Sequence, residues 1–190
     1  MHRQILTILL GCSHRILTHE STLIPGSTIG KHLRHSLDHY RLLLDAVPRT
    51  SAAAGVMEVN YDTRVRMVDM ETSPQAALGA FKDMDKKLSQ AVQAADLDQD
   101  IRLTALTPYH QEFGTTFGRE LWFVALHAIH HFSLLRVIAT GELNLKVPDN
   151  FGVAPSTLAF REYSKATEEK DVPPEKMEQG AEKMASKVKL

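Results

Sequence analysis

The sequence predicts an all-α fold, a four-helix bundle. Four segments place apolar residues at helical spacing, and three of them have clear start or stop signals. One of the four is apolar almost all round, which is typical of a helix at the centre of a domain. With 190 residues, 43% of them hydrophobic, the chain is long enough to bury a core. We therefore expect one domain over 1–160 and a charged tail over 161–190.

The first helix is expected over about 3–19, where isoleucines and leucines recur at helical spacing. The apolar run 5–11, which leads to Cys12, also resembles a short signal segment, and this alternative stays open. Cys12 is the single cysteine, which excludes an intramolecular disulfide and fits a reducing compartment such as the cytoplasm.

The second helix is expected over about 28–47. Ser27 or Thr28 is a suitable N-cap, and Pro48 ends the segment. Residues 55–62, which follow, are polar and broken, so we interpret them as a connection.

The third helix is expected over about 74–95, because Ser73 is an N-cap residue followed by a proline at the first helical position. The segments 101–107 and 112–116 lie on either side of Pro108. They can form a short β-hairpin before the last helix.

The fourth helix is expected over about 117–140 and ends at Gly141. It carries three histidines among its apolar residues: His127, His130 and His131. A buried polar group without a partner costs about 1–3 kcal/mol, so three in five residues are hard to explain as packing alone. Histidines bonded to the backbone or to neighbours are the alternative.

Two helices offer histidines that can converge. His127 and His131 are four residues apart, so their rings lie on one face of the helix, close enough to share a metal ion. On the second helix His32, His35 and His39 all border the apolar stripe, and the helical wheel places His32 and His39 closer to its centre than His35. Periodicity alone does not select the ligand among these three.

The segment His32-Leu33-Arg34-His35, combined with His127-x-x-x-His131, resembles the DinB/YfiT-like superfamily of metalloenzymes. Residues 151–157 are similar to the same proteins, and the resemblance spans about 27–158. It implies a bundle with up-down-down-up topology. It also implies a divalent metal bound by His35, His127 and His131, with His32 and His39 as neighbours of the site.

Three imidazoles leave an open coordination position, the arrangement of catalytic zinc, and nickel suits imidazole as well. The metal could lower the pKa of a bound water or thiol. The resemblance implies a metal-dependent enzyme with a low-molecular-weight thiol as co-substrate, either a transferase or a catalyst of thiol-dependent isomerisation or hydrolysis. A non-catalytic metal-binding or structural bundle is the alternative.

Glu120 lies within about 40° of His127 and His131 on a helical wheel. It could be a catalytic general base or orient a ligand, although a carboxylate in a first turn is also favoured by the helix dipole. The stretch from Tyr61 to Arg66 could line the mouth of a pocket or be a solvated loop.

Charge and hydropathy limit the partners. The net charge is −1 with a pI near 6.8, which indicates neither a nucleic-acid nor an acidic-membrane partner. No apolar run approaches the roughly 20 residues needed to span a bilayer. We therefore expect a small-molecule substrate and a cytoplasmic protein, with a homodimer left open. The Lys- and Glu-rich tail from residue 164 is interpreted as a solvated extension.

Overall fold

The computed structural model describes residues 11–46, 56–63, 68–94 and 96–168. Its contacts divide the chain into two compact units, Met1–Gly152 and Val153–Leu190. The site discussed below lies in the first unit. The domain boundary predicted near residue 160 stays a prediction.

The second, third and fourth helices of the first unit begin close to the predicted positions, whereas the described part of the first begins at His14. The helices are α1 (His14–Thr18), α2 (Ile29–Asp45), α3 (Pro74–Ala94) and α4 (Phe117–Val137), which continues as a π-helix over Ile138–Glu142. The side chain of Thr28 accepts a hydrogen bond from the Lys31 amide at the start of α2, and Thr116 does the same for Arg119 in α4. Residues 3–10 of the predicted first helix lie outside the described part of the chain.

Three strands form a mixed sheet in the order β1-β2-β3. They are β1 (Met57–Val59), β2 (Asp100–Ala105) and β3 (Gln111–Thr116). β1 runs parallel to β2, whereas β2 and β3 form an antiparallel hairpin. The hairpin lies where the sequence predicted one, and it leads directly into α4.

The all-α four-helix bundle is therefore wrong, because the fold is a mixed α/β fold. The prediction failed because the three residues of β1 were interpreted as part of a polar connection. Only Met57 and Val59 of this strand are buried, and two apolar positions are too few for periodicity to reveal a strand.

The core is formed where α2 packs against α3 and α4. Large side chains that are almost fully buried fill it, among them Leu33, Leu43, Phe81, Phe117 and Phe132. A short 3-10 helix (Asp69–Glu71) lies against α2 at Gly30. A Cβ at Gly30 would be 1.9 Å from the carbonyl oxygen of Glu71, so only glycine allows these backbones to approach so closely.

The second unit contains α5 (Pro155–Glu168) among its described residues. The sequence predicted no helix here, and the last residues of α5 fall in the region from residue 164 that was interpreted as a solvated extension. Residues 169–190 of that tail lie outside the described residues.

One helix, Phe117–Glu142, is long and apolar enough to cross a membrane by length and composition alone. This is weak evidence, because the core helix of a soluble protein passes the same test and 39% of the apolar window is buried. The absence of a membrane partner stays a prediction.

Candidate functional site

Two neighbouring helices bring five histidines together. α2 contributes His32, His35 and His39, and α4 contributes His127 and His131. His32, His39 and His131 are buried, while the other two are half-buried. We call these five residues the histidine cluster.

The three predicted metal ligands lie close to one another. The ring centroid of His35 is 5.1 Å from that of His127 and 4.6 Å from that of His131, and the last two are 4.6 Å apart. The structure thus brings these side chains together, whereas their role as ligands stays a prediction.

His39 belongs to the same group. The candidate ligand atoms of His35, His39 and His127 all lie within 4.8 Å of one another, and the His39 ring stacks on His127 at 3.7 Å. Both the helical wheel, which favoured His39, and the motif, which selected His35, therefore point to residues of the cluster.

The ring nitrogens of His131 both face other imidazoles. Its Nε2 is 3.1 Å from Nε2 of His127, and its Nδ1 is 2.9 Å from Nδ1 of His32. The outer nitrogen of His32, Nε2, is buried without a hydrogen-bond partner in the described part of the chain. Buried polar atoms usually have hydrogen-bond partners, so this nitrogen is an exception at the His32 end of the cluster.

Burial keeps three of these rings neutral. Together with a smaller effect of the neighbouring histidines, burial lowers the pKa of His127 to about 3 and that of His131 to about 2. Burial likewise lowers the pKa of His32, with a smaller contribution from His130. Neutral imidazoles keep a lone pair, which is the form that binds metal ions and accepts hydrogen bonds.

Glu120 does not lie free beside the histidines. Its carboxylate is only 1% exposed and accepts hydrogen bonds from the hydroxyls of Tyr61 and Thr115, both at 3.0 Å. Arg119 Nη1 lies 3.2 Å from the same carboxylate. Both oxygens are thus occupied, so the observed geometry suits an anchor for neighbouring segments. The predicted catalytic role of Glu120 stays a prediction.

Tyr61 connects this carboxylate to the histidine cluster. Its ring stacks on His39 at 5.1 Å with an interplanar angle of 9°. Burial, followed by the nearby Glu120, raises the pKa of its phenol, so the hydroxyl stays protonated and donates. The sequence left open whether Tyr61 lines the mouth of a pocket or lies in a solvated loop. Arg64 and Arg66 of the same stretch lie outside the described residues.

Phe123 completes an aromatic surface beside the histidines. Its ring lies 5.3 Å from Tyr61 and 5.8 Å from His127, and the Arg119 guanidinium carbon is 5.5 Å from its centroid. We call Tyr61, His39, Phe123 and His127 the aromatic wall. Sequence analysis missed Phe123 and Thr115, because an apolar residue on an apolar helix and a threonine in a short strand carry no functional signal.

This geometry allows two kinds of chemistry. A water-poor aromatic wall can bind an apolar ring, and the adjacent neutral imidazoles can bind a cation. Two nitrogens bound to one zinc ion at about 2.1 Å lie about 3.4 Å apart in tetrahedral geometry. The observed 3.1 Å between His127 and His131 is near that value and equally suits a shared proton.

The fold and site define a mixed α/β protein with a histidine cluster between two packed helices. Over 144 residues the chain is 33% identical to FK506-binding protein 5 of Rhizopus delemar. This alignment covers 74% of the chain, which spans only 30% of the length of that curated relative. No family model and no solved structure matches the chain.

This relative overturns the DinB/YfiT-like assignment. The assignment rested on a few histidines at helical spacing, a local pattern that unrelated buried helices can carry, whereas the relative aligns over most of the chain. The function derived from the assignment, a DinB-like metal-dependent transferase, is wrong for the same reason.

Proposed function

We propose that the chain is a ligand-binding module of an FK506-binding, prolyl-isomerase type of protein. The likeness to FK506-binding protein 5 of Rhizopus delemar supports this proposal. Because the chain spans only 30% of the length of that relative, its ligand and its activity are proposals for this chain.

The aromatic wall is the observation that carries the proposal. Tyr61 and Phe123 are half-buried, and their rings lie 5.3 Å apart beside the His39 ring. A prolyl ring or a similar apolar ring could pack against this surface. The peptide C–N bond resists rotation by about 18–20 kcal/mol because of charge-separating resonance, which is weakened when the bond leaves water. A water-poor aromatic site therefore suits both binding and isomerisation.

Titration of the purified chain with FK506 by calorimetry tests the binding. An exchange measurement by NMR on a proline-containing peptide tests the isomerisation. We expect saturable FK506 binding and faster cis–trans exchange, with affinity reduced about tenfold or more by Phe123→Ala, since a lost aromatic contact is worth about 1.4 kcal/mol or more. Phe160→Ala, which changes an exposed phenylalanine of α5, is the matched control and should bind normally. Absence of both activities, or equal losses in the two variants, would overturn the proposal.

A second proposal concerns the cation. We propose that the histidine cluster binds one divalent ion, zinc or nickel, through His127 with His35 and His131, and with His39 within reach. The neutral rings and the short nitrogen–nitrogen distances support it. When bound, the ion would supply a Lewis acid at the edge of the aromatic wall, and a low-molecular-weight thiol is a suitable further ligand for it.

Metal titration of chelator-stripped protein tests this second proposal. We expect one ion per chain, with binding lost in His127→Ala and His131→Ala. His130→Ala is the matched control, because His130 is an exposed histidine of the same helix. Comparing His35→Ala with His39→Ala separates the residue favoured by the motif from the one favoured by the wheel. A parent protein that binds no ion, or a control that loses binding equally, would refute the site.

The near-neutral charge supports a further part of the proposal, in which the partner is a small molecule and not a nucleic acid or a membrane. The single cysteine, Cys12, supports a cytoplasmic location, and a homodimer is compatible with both parts.

A further inference from the structure

The sheet carries a groove that is separate from the aromatic wall. Its volume is about 540 Å³, within the range of about 300–1,000 Å³ typical of ligand clefts. The groove is lined mainly by β2 and β3, with Val56 at one side. We call this cavity the sheet groove.

The sheet groove crosses the face of the sheet from Val56 through β2 to β3, and the strand edge of β3 lies open beside it. β3 pairs with β2 on one side, and in the described part of the chain no strand pairs with its other side. Six residues of β3 extend over about 20 Å, enough to pair with a peptide strand of similar length. An unpaired edge of this kind offers backbone N–H and C=O groups to an extended chain.

Gly114 opens the middle of this strand. It pairs directly with Arg102, so it lies on the same exposed face as that arginine and as Glu112. A Cβ added at Gly114 would meet no atom within 4 Å. The missing side chain therefore leaves a notch between Glu112 and Thr116 into which a ligand side chain can fit.

The charges of the groove select the ligand. Arg102 Nη1 is already within 3.2 Å of a carboxylate oxygen of Glu58. Asp100 and Glu112 add two exposed carboxylates to the lining, so the groove is negative despite the arginine. Lysine or arginine side chains would complement this surface.

We propose that an extended basic peptide adds a fourth strand to the sheet alongside β3, with side chains that reach across the strand into the sheet groove. Backbone hydrogen bonds to β3 would supply affinity. Alternate lysine or arginine side chains of the peptide would face Asp100 and Glu112, with the notch at Gly114 admitting one side chain between strands. This inference does not rest on the proposed FK506-binding function, because it involves different residues and a different ligand.

Fluorescence anisotropy with a labelled peptide of alternating lysine and threonine tests the proposal, and a peptide with glutamate in place of lysine is its control. We expect binding of the lysine peptide alone, weakened as salt rises. Amide hydrogen exchange at β3 should slow on binding, because a new strand protects its outer backbone groups.

Two variants locate the site. Gly114→Val fills the notch without a steric clash and should weaken binding about tenfold or more, the result of losing about 1.4 kcal/mol. Glu112→Lys reverses one groove charge and should have a similar effect, while Asp83→Lys, an exposed carboxylate on α3, should bind like the parent. The proposal is overturned if the lysine peptide does not bind, if both peptides bind equally, or if neither groove variant weakens binding.

Discussion

Replacing Gly30 by alanine should destabilise the protein, although alanine is the better helix former. The substitution gains about 1 kcal/mol of helix propensity within α2. Its Cβ, however, would lie 1.9 Å from the Glu71 oxygen and 2.7 Å from the Glu71 carbonyl carbon, well inside van der Waals contact. Both atoms belong to the backbone, so no side-chain rotation relieves the clash, and α2 must move away from the 3-10 helix.

Overpacking costs about 1–3 kcal/mol, and a backbone clash lies at the upper end of that range. After the gain in helix propensity of about 1 kcal/mol is subtracted, we expect a net loss of about 2 kcal/mol. For a chain of this size that loss lowers Tm by about 4–8 °C. Gly79→Ala in α3 is the matched control. Its Cβ would meet nothing within 4 Å, so the variant should gain about 0.5–1 kcal/mol. Urea unfolding followed by circular dichroism measures both changes. A Gly30→Ala protein as stable as the parent would show that α2 and the 3-10 helix do not approach as described.

Three further predictions concern polar and ionisable side chains. Tyr61→Phe should cost about 1–2 kcal/mol in urea unfolding, because Glu120 loses one of its buried hydrogen bonds, while Tyr109→Phe at an exposed tyrosine should cost almost nothing. His127 and His131 have pKa values lowered to about 3 and 2, so the unfolded chain binds more protons below about pH 6.5. In chelator-treated protein, stability should therefore fall as pH drops from about 6.5 towards 3, and His131→Asn should flatten this dependence where His130→Asn does not. Hydrogen bonds from Ser21 and Leu23, with His19, lower the pKa of Glu142 to about 2. The stability that these hydrogen bonds contribute is present above the ordinary carboxyl pKa and is lost as pH falls towards 2. Glu142→Gln should therefore reduce the change in urea midpoint between about pH 5 and pH 2. An unchanged dependence of the midpoint on pH would contradict this assignment.

Helix positions could be predicted from the sequence because their signals are local. Thr28 was one of two N-cap candidates for the second helix, and the structure shows its side chain accepting a hydrogen bond from the first turn. The spacing of His127 and His131 likewise placed two rings on one face, and the buried stripe of α2 brought His35 and His39 towards them. These conclusions required only helical periodicity and burial.

The remaining features depend on contacts between distant residues. The parallel pairing of β1 with β2 joins Met57 to Ile101, which no short segment of sequence reveals. The hydrogen bond from Thr115 to Glu120 exists because β3 turns directly into α4, so the strand end and the first helical turn are adjacent. The incorrect family assignment has the same origin, since helical spacing describes one element and not the fold around it.

The contacts from His32 through His131 to His127 also tie the tautomers of three rings to one another. A neutral imidazole carries one N–H. A proton on Nε2 of His131 therefore leaves its Nδ1 to accept a hydrogen bond from His32. Moving the proton of one ring to its other nitrogen requires the same change in the other two rings. A buried unpaired N–H is rarer than a buried unpaired acceptor, which favours the arrangement that leaves Nε2 of His32 without a proton. His127 then accepts at Nε2 and carries its own proton on Nδ1. The His32 ring thus determines the tautomer of His127, with which it shares no hydrogen bond.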